Sequence, residues 1–186
     1  TMHYSDILAR LRALGQRLEA HGQVFFFRLD IDEAVKSERF GALVDKIGHP
    51  IAPGLKSAWT VSASVDLEWF VKGPGCKVAG IDSHSAPSGQ FRLLSPEDAL
   101  SEWEFLQALA GDEQAKGLLP FSKVSPGGEL LVVDLSSGAV QLVILDSELT
   151  TVALAGSLEA WFNERIGTYF EERSLRQPGF MDPGVE

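Results

Sequence analysis

The stretch WTVSASVDLEWFVK, from Trp59 to Lys72, has the clearest periodicity in the sequence. Its apolar residues occupy every second position: Trp59, Val61, Ala63, Val65, Leu67, Trp69 and Val71. Two residues is the side-chain repeat of a β-strand, so the stretch predicts one long strand with a buried face and a polar face. Such alternation favours an antiparallel sheet, because strands covered on both faces are continuous apolar runs.

Phe70 is the exception to this alternation, since it lies on the polar side of the predicted strand. A large aromatic residue in that position has two explanations. A second layer of helices covers that face of the sheet, or Phe70 is an exposed anchor for a partner.

Helices and further strands are predicted on both sides of this stretch. The helices cover residues 5–18, residues 33–47, and two segments that begin after the capping residues Ser95 and Ser157. The strands cover 23–29, which also fits an extended docking segment, and 77–81, 90–94, 130–135, 140–145 and 151–154. We therefore expect an α+β fold, in which a mostly antiparallel sheet of about five to six strands packs against helices.

The chain is expected to form one domain over residues 1–173, followed by an irregular tail at 174–186, because no repeat or low-complexity linker divides it. Apolar residues make up 45% of the 186 residues and charged residues 23%, as in ordinary globular proteins. The single cysteine, Cys76, has no partner in the chain, which indicates a reducing compartment. With no long apolar run and no leader pattern, we expect a cytoplasmic protein that does not enter a membrane.

The formal net charge of −10 makes nucleic acid an unfavourable partner, because phosphate backbones repel an acidic surface. The same charge favours encounter with a basic protein. It is also explained by solubility alone.

No local motif indicates catalysis, a cofactor or a metal. GPGCKVAG at 73–80 lacks the spacing and the following helix of a phosphate-binding loop. The four histidines are far apart in the sequence, and Ser88 lacks the first glycine of a nucleophile elbow. Cys76, beside Lys77, is expected to be a packing residue although a neighbouring cation favours a reactive thiolate. We expect no catalytic, cofactor-binding or metal-binding residues.

Five segments between about Asp32 and Gly167 follow one another in a telling order: IAPG, LEWFVKG, GQFRLLSPEDALSEWEF, LLPFSKVSPGGELLVVDLSSGAVQLVIL and VALAGSLEAWF. Within them, the most telling residues are Leu119, Pro120, Phe121, Gly127, Gly128, Asp134, Gly138, Ser157, Leu158, Trp161 and Phe162. These residues match the pattern of a known family, and the segments taken in order resemble the SUKH superfamily (SMI/KNR type). That family includes fungal cell-wall synthesis regulators and bacterial toxin-immunity proteins.

Two features depart from that pattern. Ile51-Ala52-Pro53 replaces the usual Leu-Pro, and the Asn-Gly before the first long strand is missing, since Asn163 is the one asparagine. The resemblance implies a helix-backed sheet, no catalytic residues and a protein-binding role, often neutralisation of a toxin by an immunity protein.

The first hypothesis is therefore a non-catalytic binding domain whose partner is another protein, with a basic toxin domain as the specific version. Its expected contact residues are Phe70, Lys72, Cys76, Asp82 and His84. The second hypothesis is a small enzyme with a site assembled around the 73–89 loop. The third is a housekeeping regulatory scaffold.

Overall fold

A computed structural model describes residues 4–73, 88–124, 128–145 and 148–171. The helices are α1 (Tyr4–Glu19), α2 (Ser37–Ile47), α3 (Pro53–Trp59), α4 (Pro96–Ala110), α5 (Asp112–Ala115) and α6 (Leu158–Gly167). The strands are β1 (Val24–Ile31), β2 (Val65–Val71), β3 (Ser88–Leu93), β4 (Leu118–Val124), β5 (Glu129–Asp134), β6 (Val140–Leu145) and β7 (Leu149–Ala155). The predicted strand at 77–81 and the predicted tail at 174–186 lie outside the described residues.

The strands form one antiparallel sheet in which the spatial order follows the chain order, from β1 to β7. This confirms the α+β class and the antiparallel sheet. The described sheet has seven strands, so the expected number of about five to six was too low. β4 was not predicted as a separate strand because LLPFSKV is buried on both faces and contains Pro120, which removes the period-two signal.

The expected strand from 59 to 72 begins only at Val65. Residues before it form α3, which starts with Pro53 at a first-turn position and ends at Trp59. Trp59 is fully buried, and its indole N–H donates to the carbonyl oxygen of Leu94 at 2.8 Å. The alternation of Trp59, Val61 and Ala63 therefore arises from a helix end and a turn. Similarly, α2 begins at Ser37, later than the predicted residue 33.

The helices cover the two faces of the sheet unequally. The main core contains buried residues of α1, α2, α3 and α6, Ala99 of α4 and inward residues of the strands. A smaller second core lies on the opposite face, where α4 and α5 pack over β4–β6 through Leu106, Ala115, Leu118, Leu130, Val132 and Val143. On that opposite face the side chains of β1–β3 remain exposed or half-exposed. We call this uncovered region the open face; it comprises Phe26, Arg28, Asp30, Asp66, Glu68, Phe70, Gln90 and Arg92.

Caps of the predicted kind hold both carboxyl-half helices. The Ser95 hydroxyl accepts a hydrogen bond from the amide of Asp98 at the start of α4, and the Ser157 hydroxyl accepts one from Ala160 at the start of α6. α4 is also tied to α2 by an ion pair between Arg39 and Glu97. The hydrogen bond from Arg39 holds the pKa of the Glu97 carboxyl below its usual value.

The segment after α6 returns to the sheet and fixes the end of β2 and β3. The indole N–H of Trp69 donates to the carbonyl oxygen of Tyr169 at 2.8 Å, and the amide of Gln90 donates to the carbonyl oxygen of Phe170 at 3.0 Å. Phe170 is buried and stacks on Phe91, with ring centroids 4.8 Å apart. This packing requires a glycine at position 89, because a Cβ there would lie 1.9 Å from the Trp69 indole nitrogen.

We predict that Gly89→Ala lowers the free energy of unfolding by about 2 kcal/mol, because the Trp69 ring is buried and hydrogen-bonded and has no room to move. Urea denaturation followed by tryptophan fluorescence measures the change. The matched control is Gly41→Ala, in the middle of α2, where an added Cβ meets nothing within 4 Å. The control should raise stability by about 0.5–1 kcal/mol through helix propensity. Equal effects of the two substitutions would contradict the packing argument.

Candidate functional site

The clearest functional feature of the described residues is a cluster of three exposed phenylalanines at one end of the open face. Phe25 is 66% exposed, Phe26 37% and Phe70 38%. The Phe70 ring centroid lies 5.7 Å from that of Phe26 and 6.4 Å from that of Phe25. We call these three residues the phenylalanine surface. Phe70 is therefore an exposed residue. The second layer of helices, which was the other explanation for its position, covers β4–β6 and does not reach Phe70.

The register of β1 against β2 explains why the phenylalanines meet. Phe27 pairs with Trp69 and Phe26 with Phe70, so that one pair faces the core and the next faces the open side. The register shifts between Val24 and Phe26, which makes Phe25 an extra residue in a β-bulge. The bulge adds a third exposed ring beside the pair.

A charged cluster adjoins the phenylalanine surface on the open face. The Arg28 guanidinium lies 2.9 Å from the Asp66 carboxylate, 3.3 Å from Glu68 and 3.8 Å from Asp30. All four side chains are partly or largely exposed, so these ion pairs add little stability. Arg92 lies opposite Asp66 on the same face, so two arginines and three carboxylates leave the open face nearly neutral in charge.

The structure describes two of the five predicted contact residues. Phe70 belongs to the phenylalanine surface. Lys72 is exposed just beyond β2, at the same end, where its amide donates to the Gln23 carbonyl oxygen at 2.9 Å. The other three, Cys76, Asp82 and His84, lie outside the described residues, as does the 73–89 loop except for Gly73, Ser88 and Gly89.

The sequence analysis considered residues 23–29 as a strand or an extended docking segment, but it did not name Phe25, Phe26 or Arg28 as contact residues. The signal was present in the run of three phenylalanines at 25–27, because consecutive strand residues alternate between faces and at least one ring must point away from the core. Which of the rings it is depends on the register and on the bulge.

A cleft of about 560 Å³ lies between the start of α1, α3 and the start of α6. Its ionisable lining residues, among those described, are Tyr4 and Glu159. Burial, with a smaller contribution from the nearby Glu159 carboxylate, raises the pKa of the Tyr4 hydroxyl to about 12. The hydroxyl thus stays protonated at neutral pH and is no general base there. Among its described lining residues the cleft has one carboxylate, that of Glu159, whereas acid–base catalysis commonly uses two titratable groups with different pKa values.

The described residues contain neither a cluster of metal ligands nor a helix that could cross a membrane. No three His, Cys, Asp or Glu side chains within them lie close enough together to hold a metal ion. None of their helices combines the length and the apolar character needed to cross a bilayer.

The chain has no match among protein-family models, and no curated protein matches it.

We predict that Tyr4→Phe removes part of the alkaline loss of stability. The Tyr4 pKa is about 12 in the folded chain and about 10 when unfolded, so the unfolded state releases this proton first and is favoured as pH rises from 10 to 12. Below pH 10 this group has no such effect. Urea unfolding of both proteins at pH 9 and pH 11.5 tests this: the variant should gain stability relative to the parent only at the higher pH. A difference that is the same at both pH values would contradict the prediction.

Proposed function

We propose that this chain is a non-catalytic protein-binding domain of SUKH type, and that its contact surface is centred on Phe25, Phe26 and Phe70. The single observation that carries the proposal is the contact of three exposed phenylalanine rings on a sheet face that helices leave uncovered. Scattered exposed apolar residues are ordinary in proteins, whereas contiguous ones mark binding surfaces.

Aromatic residues are suited to this role because each buries a large area and has few rotatable bonds. Burying one phenylalanine side chain contributes about 1.5–3 kcal/mol, and such residues dominate the centres of protein interfaces. The rigid sheet holds Phe26 and Phe70 in register before any partner arrives. Binding therefore costs little ordering of the backbone.

The net charge of the chain favours a basic partner. The whole chain carries a net charge of −10, although the open face itself is nearly balanced, because Arg28 and Arg92 offset the charges of Asp30, Asp66 and Glu68. A partner with an apolar centre and a basic surface around it is attracted to such a chain at long range.

The order of elements supports the SUKH resemblance. LEWFVKG includes most of β2, the Ser95-capped α4 follows β3, and LLPFSKV is a strand that leads into the β5–β6 hairpin. The Ser157-capped α6 comes after these elements, as the family pattern implies. Within that family type, we propose that the chain is an immunity protein that neutralises a toxin by direct binding.

The first test is binding. The purified chain is mixed with the products of the genes beside its own, and bound proteins are measured by calorimetry. We predict that Phe70→Ala weakens the complex at least about tenfold, because the substitution removes the centre of the aromatic cluster. Phe105→Ala is the matched control: it is the same substitution at a side chain 51% exposed on α4. It should change the affinity by less than about twofold.

Equal weakening by both variants, or none by Phe70→Ala, would place the contact surface elsewhere. The immunity role has a separate test in cells that express a toxic neighbour. The parent chain and Phe105→Ala should restore growth, and Phe70→Ala should not. A partner that is a non-toxic cellular enzyme would favour the regulatory scaffold instead.

A further inference from the structure

The strand β1 forms one end of the sheet, and in the described structure it pairs only with β2. In an antiparallel pair the backbone groups of alternate residues point to the partner strand, and the others point away. The Asp32 amide donates to the Ser64 carbonyl oxygen at 3.0 Å. With the observed register, this directs the backbone groups of Arg28 and Asp30 toward β2 and those of Phe27, Leu29 and Ile31 away from the sheet.

The outward edge from Phe27 to Ile31 lacks several devices that usually prevent edge pairing. It contains no proline and no lysine, and the β-bulge of this strand lies outside it, between Val24 and Phe26. The side chains of Phe27, Leu29 and Ile31 are only half-buried although they pack on the core. Among the described residues, no strand pairs with this edge, and its apolar side chains are only partly covered.

We propose that this edge pairs antiparallel with the same edge of a second copy of the chain, with Leu29 opposite Leu29 of the partner subunit. Phe27 then lies opposite Ile31 of the partner subunit, and each of these opposed pairs exchanges two backbone hydrogen bonds. All of the paired backbone groups belong to residues that point outward in the single chain. The register therefore needs no change within the existing sheet.

The charges of Arg28 and Asp30 favour this register over the two registers that are shifted by one residue. With Leu29 at the centre, Arg28 lies opposite Asp30 of the partner subunit, and the two-fold symmetry repeats the pair. A shift of the centre to residue 28 places the two arginines opposite each other, and a shift to residue 30 does the same to the two aspartates. Opposite charges in a cross-strand pair stabilise it and like charges destabilise it. Arg28 and Asp30 also form a non-hydrogen-bonded pair, in which side chains approach most closely.

The second copy is favoured as the occupant because the edge is complementary to itself in backbone direction, apolar contacts and charge at once. Phe26 lies opposite Asp32 of the partner subunit, so the dimer presents two phenylalanine surfaces on one face, about 20 Å apart along the strands. The open face stays uncovered in such a pair.

The experiment measures the mass of the full chain by sedimentation velocity over a range of concentrations. The parent should approach twice the chain mass of 20.2 kDa. Asp30→Lys places a lysine opposite Arg28, and Arg28→Glu places a glutamate opposite Asp30. Each variant alone should raise the dissociation constant at least about tenfold. An equimolar mixture should form a heterodimer, because both cross-strand pairs regain opposite charges.

Asp45→Lys, an equal charge change on the exposed side of α2, is the control and should leave the dimer intact. Hydrogen exchange gives a second readout that does not depend on Arg28→Glu folding well. The amides of Phe27, Leu29 and Ile31 should exchange slowly in the parent and faster in Asp30→Lys. A parent that stays monomeric at high concentration, or a dimer that survives Asp30→Lys unchanged, would overturn the proposal.

Discussion

The unequal covering of the two sheet faces is the constraint on which the rest of this molecule depends. α4 and α5 bury the second face over β4–β6 and leave it open over β1–β3. Strands that helices cover on both faces must carry apolar residues on both faces, as β4 and β5 do. β2 and β3 have one uncovered face, and their residues alternate between buried and more exposed positions. The open face meets water, and charged side chains around Arg28 occupy much of it.

The other side chains of the open face are charged or polar, so the phenylalanine surface is its one apolar region. The exposure of Phe25, Phe26 and Phe70 contributes nothing to the core and carries a hydration cost that a partner would relieve. The edge of β1 has a similar character, because no other strand of the described sheet pairs with its outward backbone groups. Both features lie on the same two strands, so a partner on the face and a second copy at the edge are compatible.

Much of the architecture was predictable because its signals are local. The stripe of α1, the caps Ser95 and Ser157 and the hairpin of β5 and β6 each depend on residues close together in the chain. Two of the differences have a common origin: Trp59 belongs to a helix, and LLPFSKV forms a strand that was not predicted separately. In both, burial by distant residues replaced the expected periodicity, since Trp59 is held by the Leu94 carbonyl and β4 lies between two layers.

The sequence by itself determined the α+β class and the antiparallel sheet, because alternation and capping are properties of neighbouring residues. It also identified Phe70 as an aromatic residue on the polar side of its strand. Only the tertiary structure decided that Phe70 is exposed, that Phe25 and Phe26 join it, and that the backbone groups of the β1 edge at Phe27, Leu29 and Ile31 point away from the sheet. The reason is physical: which side of a strand meets water depends on register, on a single bulge and on where a distant helix ends. These are relations between segments that no local pattern encodes.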